Sequence, residues 1–162
     1  MLWKDVVADP HLQDLPFKIE TNQWGQVVMT PARNKRGAYQ FRIGAMLDRF
    51  MESTGAEGTT VTESAIQTVA GTKVADVAWY SAERWSVVEH ELDASIAPEI
   101  CVEVLSPGNS IGEIGEKKQL YLGAGAREVW VCSSDGVVTF FDRTGQLSQS
   151  TLVPDFPKQI KI

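Results

Sequence analysis

Two cysteines, two histidines and no long apolar run are what this 162-residue sequence has least of. Each shortage narrows the class of protein. Cys101 and Cys132 lie singly inside apolar segments, so both are expected to be free, buried thiols in a reducing compartment. With only His11 and His90 beside them, no zinc-finger ligand spacing can be written. No apolar run approaches the roughly 18–20 residues that a membrane helix needs, so no membrane partner is expected. The opening "MLWKDVVADPHLQDLP" has neither the basic start nor the apolar centre of a secretory signal, and a cytoplasmic protein is the expectation. Positive charge is also short: 15 Lys and Arg against 21 Asp and Glu give a formal net charge of −6. A broad nucleic-acid footprint gains no support from that balance, and any basic surface has to be local. An enzyme that touches DNA briefly, with metal ions offsetting the phosphates, remains open.

What is present is ordinary for a globular protein, with 43% apolar and 22% charged residues. There is no repeat and no low-complexity linker, so residues 1–162 are expected to form a single domain. "FKIETNQWGQVVMTP" predicts an N-terminal β-hairpin: Phe17 and Ile19 alternate, "NQWG" turns, and Val27 to Met29 return before Pro31. From Lys35 to about Ser53, Tyr39, Ile43, Met46, Leu47 and Phe50 recur at helical spacing. "TTVTESAIQTV" and "KVADVAWYS" read as strands, and residues 81–97 as a variable loop. "EICVEVL" is a buried strand, "IGEIGEKKQLYLGAG" a helix, and "REVWVCS" with "VVTFFD" a strand pair about "SDG". The tail "LSQSTLVPDFPKQIKI" carries no clear pattern. The order predicts an α/β (α+β) fold with one central mixed sheet flanked by helices.

Three charges sit badly in these segments. Alternation places Val74, Asp76 and Ala78 on one strand face and Ala75, Val77 and Trp79 on the other, so Asp76 is an acid framed by apolar residues. Glu103 stands in the middle of "ICVEVL". A buried unpaired carboxylate costs several kcal/mol, so each acid alone calls for a salt bridge or backbone donors. Two in neighbouring strands raise each other's pKa, and a divalent cation is the usual reason to tolerate them. The third charge is Lys117, which shares a helical stripe with Ile114, Tyr121 and Ala124. A lysine there either snorkels to water or serves a site, whereas Lys118, about 100° further round, reaches solvent more easily. Two carboxylates can hold Mg²⁺ through oxygen ligands, and a lysine beside it can orient a water or offset phosphate charge. Together, Asp76, Glu103 and Lys117 are equipment for metal-assisted phosphodiester hydrolysis. Glu99 lies four residues from Glu103, roughly 13 Å along a strand, and reads as a strand-end charge. Gln40, on the first long helix, is either a surface residue or an accessory ligand.

"VADVAW", "APEICVEVLSPGNS" and "GEKKQLYLGAGAREVWV" resemble the Uma-two (Uma2) family of restriction endonucleases, within the PD-(D/E)XK phosphodiesterase superfamily. The resemblance covers nearly the whole chain. It implies a restriction-endonuclease-like core in which Asp76 and Glu103, on adjacent strands, bind Mg²⁺ or Mn²⁺, with the backbone carbonyl of Val104 as a further ligand. The superfamily's usual lysine falls two residues past the second acid, where this chain has Leu105, and Lys117 is the matching position on the next helix. Ala75 replaces the motif's proline, and Arg36 stands about where many members have a histidine. Ser106 matches a motif serine, either as a turn former before Pro107 or as a polar partner of the metal-bound water. Lys35, Arg36 and Arg42 are candidate contacts to backbone phosphates. The function implied is a metal-dependent DNA endonuclease, with a homodimer as a plausible form. The alternatives are a catalytically silent nuclease-fold binding or regulatory protein, or a hydrolase of another phosphate ester.

Overall fold

Period-two and helical patterning become, in a computed structural model describing residues 1–162, a six-stranded sheet with helices on both faces and a separate two-stranded hairpin. Along the chain the elements are α1 (Trp3–Ala8), β1 (Phe17–Thr21), β2 (Val27–Pro31), α2 (Asn34–Ser53), β3 (Gly58–Thr68) and β4 (Gly71–Ser81). They continue with α3 (Ala82–Val88), β5 (Ile100–Val104), α4 (Ile111–Gly123), β6 (Glu128–Cys132), β7 (Val138–Asp142) and β8 (Gly145–Leu147). The large sheet has the order β3-β4-β5-β6-β7-β8. Only β5 and β6 run parallel, and α4 supplies the crossover that a parallel pair requires.

Each sheet face buries one amphipathic stripe. Tyr39, Ile43, Leu47 and Met51 of α2 recur every fourth residue and pack on Val77, Trp79, Ile100, Val102 and Trp130. On the other face Tyr121 and Leu122 of α4 and Val88 of α3 cover Ala78, Tyr80, Cys101 and Val129. Burying each large aliphatic side chain in these layers contributes about 1.5–3 kcal/mol. Both cysteines are buried and free. No helix is long and apolar enough to cross a membrane.

Three segments differ from the sequence expectation. Residues 82–88 form a helix rather than a loop, started by the Ser81 hydroxyl, which accepts a bond from the Arg84 N–H at 3.3 Å. The short α1 has no counterpart in the sequence reading. The tail, patternless as sequence, returns Val153, Phe156 and Ile160 to the α2-side core, with Phe156 at 4.6 Å from Trp130 between ring centroids. Buried Glu128 ties that tail down. Its carboxylate accepts from Trp130 Nε1 and Ser150 Oγ at 2.7 Å each, and from the Thr151 and Leu152 N–H groups at 2.7 and 3.0 Å. Glu128→Ala strands those donors and is expected to cost about 3 kcal/mol, read as a lower urea midpoint. An unchanged midpoint would mean that water replaces the carboxylate without penalty.

Candidate active site

The site forms where β4 and β5 part. Their antiparallel register runs Trp79↔Ile100, Ala78↔Cys101, Val77↔Val102 and then stops. The next opposed positions are Asp76 and Glu103. Instead of a backbone ladder bond, Asp76 Oδ2 accepts the Val104 N–H at 2.7 Å. On its other side, β4 is also irregular here: Thr62↔Val77 and Ser64↔Ala75 bracket Glu63, which adopts a positive φ of 56°. Such a conformation in a non-glycine residue stores about 1–3 kcal/mol of strain. Strict alternation fails beside it, because Ala75 packs with Ala78 and Tyr80 rather than with Val77 and Trp79.

Beyond the end of β5, β4 still has N–H groups to satisfy, and side chains of β1 satisfy them. Glu20 Oε2 accepts the Val74 N–H at 2.7 Å, and Thr21 Oγ1 accepts the Thr72 N–H at 2.8 Å. Lys73 Nζ donates to the Thr21 carbonyl at 2.7 Å. Gly71 permits this approach: its φ is +91°, and a Cβ would stand 2.5 Å from the Thr21 carbonyl oxygen. The polar face of the hairpin is therefore the covered one. Lys18 and Glu20 are 7% and 5% exposed, whereas Phe17 is 39% exposed.

This docking completes a charge cluster. Lys18 Nζ stands 3.1 Å from both Asp76 Oδ1 and Glu103 Oε2. Lys117 Nζ reaches Glu20 Oε2 at 2.7 Å and Glu103 Oε1 at 3.3 Å. The Tyr121 hydroxyl donates to Glu103 Oε1 at 2.6 Å. Burial raises the Asp76 carboxyl to about 6, reinforced by the Glu103 charge and opposed by Lys18. Burial acts in the same direction on Glu103, but Lys117, Lys18 and Tyr121 outweigh it and hold that carboxyl down at about 2. Burial would lower the Lys18 ammonium, yet Glu103, Asp76 and Glu20 together raise it above the usual lysine value. Two acids in similar burial thus differ because only Glu103 has two lysines and a phenol.

The cluster opens on a cleft of about 670 Å³. Lys18, Arg33, Arg36, Lys73 and Lys117 line it against Glu20, Glu103, Glu113 and Glu116, a local basic balance in an acidic chain. Ser106 also lines it, and its buried hydroxyl has no hydrogen-bond partner. Of the residues singled out from sequence, Asp76, Glu103 and Lys117 come together, with Val104, Ser106 and Arg36 at the same cleft. Gln40 and Arg42 do not line it, and exposed Lys35 lies 4.0 Å from Asp135 instead. Glu99 is held apart at the strand end by the Ser81 N–H at 3.0 Å and by Arg84 at 3.6 Å. Lys18, Glu20 and Tyr121 were not foreseen as site residues.

The donor set suits a hard divalent cation. It offers two carboxylates, the adjoining Val104 backbone and the unpartnered Ser106 hydroxyl, all oxygen donors of the kind Mg²⁺ takes beside water. No three acid, histidine or cysteine side chains converge into an all-protein cage. The space between Asp76 and Glu103 is held by the Lys18 ammonium.

A mixed sheet flanked by helices, with two acids where neighbouring strands part, defines a restriction-endonuclease-like fold. The chain resembles the crystal structure of "a putative nuclease belonging to DUF820 from Anabaena variabilis ATCC 29413", with a TM-score of 0.76 over 98% of this chain and 94% of that one. At 13% sequence identity the likeness is one of fold. Residues 11–161 match the Uma2 family, described as "Putative restriction endonuclease", and the chain belongs to that family. No curated protein matches it.

Proposed function

We propose that the protein is a metal-dependent DNA endonuclease whose site is the Asp76–Glu103–Lys117 cluster. The observation that carries this reading is the pairing of two acids at the end of the β4–β5 ladder, beside a cleft lined by five cationic side chains, Lys18, Arg33, Arg36, Lys73 and Lys117. Asp76, Glu103 and the Val104 carbonyl would hold Mg²⁺ or Mn²⁺, with Ser106 placed to bond a coordinated water. The cation would supply a Lewis acid for the phosphate and a water of lowered pKa. Lys117, ion-paired to Glu20 and Glu103, acts by charge and hydrogen-bond donation on the phosphate oxygens as negative charge grows. Tyr121 fixes the Glu103 carboxylate. Arg33 and Arg36 on the cleft wall are suited to backbone phosphates, which carry affinity rather than sequence information.

One observation favours a second reading. Each carboxylate oxygen of Asp76 and Glu103 already has a protein partner, as expected of a catalytically silent protein that keeps the nuclease fold for binding. The two readings part in one assay. Supercoiled, linear and single-stranded DNA are incubated with the protein in Mg²⁺, Mn²⁺ or EDTA, beside Asp76→Ala. Nicking that needs metal and disappears in the variant is the expected result. Binding of DNA with no cleavage of any form would favour the silent protein.

A further inference from the structure

We propose that Lys18 is a resident counter-ion that keeps divalent metal out of the site, so that metal loading and withdrawal of Lys18 are one event. This rests on the metal-dependent reading of Asp76 and Glu103. The ammonium sits 3.1 Å from an oxygen of each acid, which is where a cation bridging them would be held. Mg²⁺ binds oxygen at about 2.0–2.1 Å, so an ion sharing these two oxygens leaves no room for Nζ. The two cations would also repel strongly in a site from which water is nearly excluded. The Lys18 side chain is 4% exposed, so the ammonium is a fixed part of the closed site rather than a surface charge.

The topology lets it leave. β1 pairs only with β2, and the hairpin is not hydrogen-bonded into the six-stranded sheet by a strand ladder. Besides the Lys18 ion pairs to Asp76 and Glu103, it is held to β4 by side-chain bonds from Glu20 and Thr21 and by Lys73. The hairpin can therefore shift without breaking the central sheet. Its departing element also carries Glu20, which anchors Lys117, so exchange at Lys18 is coupled to the second lysine.

Mn²⁺ binding to the full chain is measured by calorimetry for the wild type, Lys18→Met and Lys18→Met/Asp76→Asn. Lys18→Met is expected to bind at least tenfold more tightly than the wild type, and the added Asp76→Asn to abolish binding. Equal or weaker affinity in Lys18→Met overturns the inference and leaves the metal reading standing. Absence of Mn²⁺ binding in both wild type and Lys18→Met overturns the metal reading and the inference with it. Should Lys18→Met fail to fold, acetylation of wild-type lysines, read by mass spectrometry, decides. Lys18 is expected to be protected without metal and to label at least fivefold faster with Mn²⁺, and unchanged labelling overturns the proposal.

Discussion

Glu103→Ala is expected to lose about 3 kcal/mol of stability and all metal-dependent cleavage. The carboxylate serves three donors at once: Lys18, Lys117 and the Tyr121 hydroxyl. Lys18 keeps Asp76 at 3.1 Å and Lys117 keeps Glu20 at 2.7 Å, so neither ammonium is left alone. The buried Tyr121 hydroxyl loses its only partner, and the side-chain volume becomes a void. Against these losses, Asp76 is freed of a like charge that helps to raise its carboxyl. Glu103→Gln separates the two roles. Its amide oxygen still accepts from Tyr121, so the stability loss is expected to fall to about 1–2 kcal/mol, while the hard anionic ligand is gone and cleavage stays absent. Urea unfolding of both variants without metal, with slopes compared, gives the energies. A Glu103→Ala midpoint equal to the wild type would show that this carboxylate adds nothing to the fold.

The residues legible from sequence were those whose charge contradicted their surroundings. Asp76, Glu103 and Lys117 each interrupt an apolar pattern, and such interruptions need a cause. Lys18 and Glu20 contradict nothing: in "FKIET" they form the polar face of a strand whose other face carries Phe17 and Ile19. Ordinary amphipathic logic sends that polar face to water, and the structure does the reverse. The reason is tertiary. β4 outruns β5, and the N–H groups it exposes need acceptors that a hairpin's polar face can bring. Two opposite charges two residues apart on one strand face were the available signal, and surface strands carry the same pattern. The tail fails for a related reason. Val153, Phe156 and Ile160 enter the core through turns rather than a regular element, so no period announces them. α2 and α4 were readable because their burial follows the helical period, and β5 and β6 because strands buried on both faces read as short, mainly apolar runs.

Lys117→Met is expected to lower kcat by about 10²–10³-fold while the fold and the Mn²⁺ affinity are kept. β5 (Ile100–Val104) carries no lysine or arginine, and Leu105 follows it. No cation from β5 itself can therefore reach the phosphate. Lys117 approaches from α4; in the closed site its ammonium pairs with Glu20 at 2.7 Å, and Glu103 at 3.3 Å keeps it beside the acids when β1 shifts. Its side chain keeps 18% exposure on the cleft wall, so the charge faces both the acids and the space where substrate would lie. Methionine preserves the apolar stem and removes only the charge and the donors. Removing a like charge beside the cation position does not weaken Mn²⁺ binding, so a lost rate cannot be blamed on lost metal. Lys117→Arg, which keeps charge but not the point geometry, is expected to recover roughly tenfold of the loss. Lys118 is the control on the same helix: its ammonium lies 4.1 Å from the Phe141 ring centroid, and Lys118→Met is expected to leave kcat unchanged. A Lys117→Met enzyme within threefold of wild-type kcat would reduce Lys117 to a strut between β1 and β5. The remaining cations on the cleft wall, Arg33, Arg36 and Lys73, would then have to meet the phosphate.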